Sequence, residues 1–130
     1  MAIERQFGTV KVEFATSDTA VVALVGEHDL QSREALSATL ANAAEGRNVL
    51  VDLSRCTFVD SAIISLLLLT QRTVEARDGR CELVIPPQSG YVTRLFEITG
   101  IAGLFCVHSS RNAGFASLAT SGEMPAAKAA

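Results

Sequence analysis

Through "GTVKVEFA" apolar and polar positions alternate, with Val10, Val12 and Phe14 at period two, and predict a half-buried strand. A polar turn follows over 16–19, then "AVVALVG", a more apolar run that predicts a second strand hairpinned to the first. "GEHDL" ends that strand and the period changes: Leu30, Leu36, Leu40 and Ala43 fall toward one side of a helix. Gly46 stands where a helix C-terminal glycine is expected. "NVLVDLS" predicts a short strand buried on both faces, as in a parallel sheet. A long helix begins near Ser61, runs through "AIISLLLLTQRTVEAR" and stops at Asp78 and Gly79. "CELVIP" is another buried strand, halted by Pro86 and Pro87. A helix from Ser89 to Thr99 presents Val92, Leu95, Phe96 and Ile98 and ends at Gly100; "LFCVHS" is a final strand and "NAGFASLAT" a last helix or helical turn.

Two opening strands followed by repeated strand–helix units predict an α/β layer fold, its mixed sheet having an antiparallel edge and a mostly parallel body, with about four helices. Right-handed crossovers put the long helices on one face unless the strand order reverses, which the pattern leaves open. Val51, Leu53, Leu66, Leu67, Val84 and Phe96 are the expected core. One domain covers residues 1–120, and the small-residue-rich "SGEMPAAKAA" over 121–130 reads as a flexible C-terminal tail.

Composition narrows the class of function. Of 130 residues, 48% are apolar and 19% charged, which suits a folded globule. The net charge of −3 comes with no basic stripe, so neither direct nucleic-acid binding nor attraction to an anionic membrane is expected. "MAIERQFGTV" lacks the apolar core of a signal peptide. The longest apolar run, "AIISLLLL", is far short of the roughly 20 residues that span a bilayer. Together these predict a cytoplasmic protein without membrane insertion.

Cys56, Cys81 and Cys106 are widely spaced and sit among apolar residues, with no CxxC pair of the kind zinc sites use. Buried, reduced thiols are expected, and no metal. His28 and His108 have no ligand-spaced companion in the sequence and read as surface or loop-end histidines. The nine glycines match neither GxGxxG nor GxxxxGK[ST], so no phosphate cradle and no cofactor are implied. A serine hydrolase elbow needs G-x-S-x-G, but Val59 and Ile63 stand at the glycine positions around Ser61. No catalytic residues are assigned, and the protein is not read as an enzyme.

That leaves Asp60 and Ser61, adjacent between an apolar strand and an apolar helix. One of them capping the unpaired N–H groups of the helix start is the plain reading. The pair also falls at the carboxyl side of a central strand, where open α/β sheets carry their sites. A phosphate on Ser61 would meet the positive end of the helix dipole there.

"GEHDL", "VLVDLSRCTFVDSA" and "RLFEITGIAGLF" together resemble the STAS domain family, and within it the small anti-sigma factor antagonists of bacteria. The resemblance covers roughly Val10 to Ala119, with the three motifs in the family's order and spacing. It implies that Ser61 is phosphorylated by a partner that is both anti-sigma factor and ATP-dependent serine kinase, with a phosphatase as a further partner. It implies that Asp29, Asp60, Ser61, Ala62 and Ile63 form the partner-binding surface, Glu27 being more structural. Unphosphorylated, the protein would bind the anti-sigma factor and free a sigma factor for transcription; phosphorylated, it would let go. The alternative is a non-switching STAS module, a structural or accessory part of a signalling or transporter complex, with Ser61 as a plain cap. The family usually continues Asp-Ser with Ser or Thr, Gly, an aliphatic residue and Gly. Here Ala62, Ile63, Ile64 and Ser65 follow, and branched Ile63 is expected to protrude at the helix start.

Overall fold

Val- and Leu-rich segments with period-two or continuous apolar character form the five strands of one sheet. The computed structural model describes residues 8–87 and 90–120. Strands β1 (Thr9–Phe14), β2 (Thr19–His28), β3 (Asn48–Val59), β4 (Cys81–Val84) and β5 (Val107–His108) alternate with helices α1 (Arg33–Ala43), α2 (Ser61–Glu75), α3 (Tyr91–Thr99) and α4 (Arg111–Thr120). The strand order is β1-β2-β3-β4-β5; β1 and β2 are antiparallel and every other neighbouring pair is parallel. The α/β class and the antiparallel edge are as expected from the sequence.

Because the strand order never reverses, the three crossover helices fall on one face. Val22 and Leu24 of β2, Val51 and Leu53 of β3 and Leu83 of β4 pack there against Leu36 and Leu40 of α1, Leu67 of α2 and Phe96 of α3. The alternate residues Val21, Leu50 and Val84 face the other way and meet Phe115 and Leu118 of α4. Gly114 permits this: a Cβ there would come within 2.8 Å of Leu50 Cδ1. Arg111 ties α4 down, its Nε donating to Asp52 Oδ2 at 2.6 Å and its Nη1 to Glu13 Oε1 at 2.7 Å. All six expected core residues are buried.

Four local expectations change. Strand β3 does not end at Ser54 but runs on to Val59, because β2 carries the pairing forward to Glu27↔Phe58 and His28↔Val59. That pairing passes through register shifts, one of them after Gly26, whose φ of +85° suits glycine. Leu30 is not on the buried face of α1: it lies in a separate 3-10 turn, Leu30–Ser32, and is 69% exposed. Val12 and Phe14 are exposed rather than half-buried, since β1 is an edge strand. Helix α1 ends at Ala43 with Ala44 as its C-cap, before Gly46. The expected C-terminal tail over 121–130 lies outside the described residues.

Candidate functional site

Asp60 ends the extended backbone of β3 and becomes the N-cap of α2, with Ser61 as the first helical residue. One carboxylate oxygen, Oδ1, accepts the Ile63 N–H at 3.1 Å, satisfying one of the helix's orphan donors. The other, Oδ2, accepts the Leu30 N–H at 3.1 Å. A single carboxylate thus caps the helix and fastens the turn after β2 to it.

That turn is itself locked. Asp29 is its N-cap: Oδ1 accepts the Gln31 N–H at 3.0 Å, and the Asp29 N–H donates to Ser32 Oγ at 3.1 Å, a capping box. Beneath it lies His28, which is fully buried rather than at the surface. Its Nε2 stands 3.2 Å from both the Thr9 and the Val25 carbonyl oxygens, so that nitrogen carries the proton and donates. Nδ1 faces Ser32 Oγ at 3.4 Å. The motif "GEHDL" therefore builds a pedestal: Gly26 bends the strand, His28 pins it to β1, and Asp29 begins the turn that reaches Asp60.

Ser61 is exposed, and its hydroxyl makes no hydrogen bond among the described residues. The plain reading of Ser61 as the cap does not hold, since Asp60 does that work. Asp29, Asp60 and Ala62 are each partly exposed around it, while Glu27 is exposed further back on β2. Ile63 differs from expectation. Its side chain does not protrude but is fully buried in the main core, so it offers no contact surface. Two apolar features went unread in the sequence: exposed Leu30, and a stack of Phe58 on Tyr91 with ring centroids 5.4 Å apart. Phe58 lies two residues before Asp60, so both features fringe the same sheet end.

Elsewhere the thiols divide. Cys56 and Cys81 are buried, and burial pushes their pKa values up to about 11 and about 12. Cys106 is exposed, against the expectation of three buried thiols. His108 is neither a free surface residue nor without a companion: its Nε2 lies 2.7 Å from Glu82 Oε1. No described helix is long and apolar enough to cross a membrane.

A family profile described as "Mlab, STAS domain" matches residues 13–107. A Bordetella bronchiseptica protein that carries the name anti-sigma factor antagonist BtrV is 31% identical over 102 residues, or 77% of this chain and 86% of that one. The anti-sigma factor antagonist SpoIIAA in its unphosphorylated form superposes with a TM-score of 0.67 at 27% identity, over 81% of this chain and 92% of that one. The Bacillus cell fate determinant SpoIIAA in its phosphorylated form gives 0.63 at 25% identity, over 81% and 96%. With the profile matched over most of its length and a five-stranded mixed sheet and four helices among the described residues, the chain belongs to the STAS domain family.

Proposed function

We propose that this protein binds an anti-sigma factor with serine kinase activity while Ser61 carries a free hydroxyl, and releases it once Ser61 is phosphorylated, so regulating sigma-factor-dependent transcription. A phosphatase resets the switch. The protein itself acts by binding rather than by catalysis, in keeping with relatives that are antagonists by name.

One observation carries the reading. The Ser61 hydroxyl is exposed and unbonded among the described residues, beside an aspartate that already does the capping. A serine that stabilised the helix would have its oxygen on a first-turn N–H. This one is spare, and spare hydroxyls at a helix start are open to modification. SpoIIAA, which has the same fold and is known in both an unphosphorylated and a phosphorylated form, adds support.

The energetics need no large change of shape. A phosphate adds about −1.5 to −2 charges next to Asp60 and close to Asp29. The helix dipole softens that charge within the free protein. A partner surface fitted to a small neutral hydroxyl would instead bury it unpaired, at a cost of several kcal/mol. Since each 1.4 kcal/mol is tenfold in affinity, a modest part of that cost releases the partner. Leu30 and the Phe58–Tyr91 stack give the partner apolar area at the rim, while Asp29, Asp60, Ser61 and Ala62 supply the polar centre. The test is a binding assay with Ser61→Ala and Ser61→Asp: Ala should bind as the parent does, and Asp should bind more weakly.

A non-switching accessory module is the second reading, favoured by Ile63 and Ser65 at the helix start where the family usually has glycines. Under it, both substitutions leave partner binding unchanged.

A further inference from the structure

At the β5 edge of the sheet, three side chains of different donor chemistry converge. Val84 of β4 pairs with His108 of β5, and Leu83 with Val107. The Leu83 N–H also bonds the Cys106 carbonyl at 3.0 Å, which brings Cys106 alongside Glu82. Period two along the edge then puts Cys106 and His108 on one side, facing Glu82 of the neighbouring strand. One donor atom from each of Glu82, Cys106 and His108 lies within 4.8 Å of the other two.

We infer that this triad binds a borderline-soft divalent cation of the zinc class, through the Cys106 thiolate, the His108 imidazole and the Glu82 carboxylate. Thiolate, imidazole and carboxylate are the donors zinc takes, at about 2.0–2.3 Å each. Hard cations such as magnesium prefer oxygen alone. Small side-chain movements close the present spacing to a tetrahedral face, and water fills the fourth position.

The state of Glu82 supports the assignment. Its side chain is only 1% exposed, so it is a buried carboxyl group on β4. Oε1 is held by His108, and Arg80 lies against Oε2 as an ion pair, yet no donor is aligned on Oε2 as a hydrogen bond. The Arg80 ion pair orients the carboxylate from behind through Oε2 and leaves Oε1, beside His108, as the ligand atom. On binding, Cys106 gives its thiol proton to solvent. The His108 proton moves from Nε2 to Nδ1, so that the Nε2 lone pair takes the place of the N–H···O bond. Exposed Cys106 and a His108 side chain that is 14% exposed leave the ion a path in from solvent.

Cobalt(II) is the probe, because thiolate ligation gives it a near-ultraviolet charge-transfer band that oxygen and nitrogen ligands do not. The purified full-length, reduced chain is titrated with cobalt, then with zinc against a chelator. The expected result is one cobalt per chain with a thiolate band that zinc displaces. Cys106→Ser should abolish the band, and His108→Gln should weaken binding at least about tenfold, as losses at outer-shell partners already do. Cys56→Ser should leave both unchanged. Absence of a thiolate band from the folded parent, or a band that survives Cys106→Ser, would overturn the assignment. Since Cys106 is exposed, its replacement leaves the core intact, and circular dichroism confirms that each variant is folded.

Discussion

Asp60 accepts the backbone N–H of Leu30 at 3.1 Å although the two residues are 30 apart in the sequence. This bond joins the Asp29 turn to the start of α2, so that the acid of one motif and the serine of the other share one surface. The His28↔Val59 pairing already sets the two loops side by side, and this bond fastens one to the other beyond the strand ends.

Asp60 should therefore matter twice. Asp60→Ala removes the cap and the tie to Leu30, and should lower stability by about 1–2 kcal/mol from the cap alone. Asp60→Asn keeps one accepting oxygen for the Ile63 N–H but presents an amide to Leu30, and should fall between parent and Ala. Urea titration of the three proteins measures this order; equal midpoints for Asn and Ala would show that the Leu30 bond carries most of Asp60's contribution.

The core should respond as the sheet's main face demands. Leu67 is fully buried in the cluster between α2 and the sheet. Leu67→Ala should cost about 2–5 kcal/mol, read from the urea midpoint at unchanged slope. A variant that melts with the parent would mean that this face of α2 is wrong.

The fold places its thiols unequally, and reactivity should follow. Cys56 and Cys81 are buried, with pKa values raised to about 11 and about 12 by desolvation. Neither holds appreciable thiolate at neutral pH, and thiolate is the reactive form. A disulfide reagent should label Cys106 quickly in the native chain and the other two only on unfolding. Peptide mapping after a brief exposure identifies which thiol has reacted.

Acid should loosen α4 before the main core. Burial raises the Asp52 pKa, but hydrogen bonds from Ser54 and Arg111 and the Arg111 charge more than offset it, and the net shift is downward. A carboxyl whose folded pKa lies below its unfolded value, about 3.9, contributes stability that is present above that value. The contribution is lost as pH falls through the folded pKa. Asp52→Asn should therefore lower stability at pH 7 and flatten its decline below about pH 4. Urea midpoints across pH 2.5–7 (a range set by the carboxylate pKa values, roughly) compare the two slopes.

What the sequence revealed, and what it hid, follows the range of the interactions concerned. The strand–helix boundary at Asp60 and Ser61 was legible because a cap acts within three residues, and apolar periodicity located the buried faces of α2 and α3, apart from Ile98, which is 75% exposed. The continuity of β3 through residues 54–57 was not legible. Ser54, Arg55 and Thr57 look like loop residues, and only pairing with β2 beyond Gly26 keeps them extended. His28 read as a surface residue because its partners, Thr9 and Val25, are carbonyls that any residue could supply. The Glu82, Cys106 and His108 cluster escaped for the same reason: Cys-x-His is a weak spacing until a neighbouring strand brings the carboxylate. Ile63 was placed outside by analogy with a glycine, whereas its position on the α2 face turns it inward.

Ser61 should be nearly silent in stability, because its hydroxyl holds nothing among the described residues. Ser61→Ala should stay within about 0.5 kcal/mol of the parent. Ser61→Asp should match it or gain about 0.3–1 kcal/mol from the helix dipole. Thermal melting of both variants checks this, and a large loss in Ser61→Ala would restore the serine to a structural role. With folding unaffected, any difference in partner binding reports the surface alone.

The measurement closest to the central claim is site-resolved mass analysis of the chain taken from its own host, split into the fraction that co-purifies with a partner and the fraction that is free. Phosphate on Ser61 is expected in the free fraction and absent from the partner-bound one. A chain without phosphate in both fractions, or phosphate on Ser61 in equal proportion in the two, would contradict the switch.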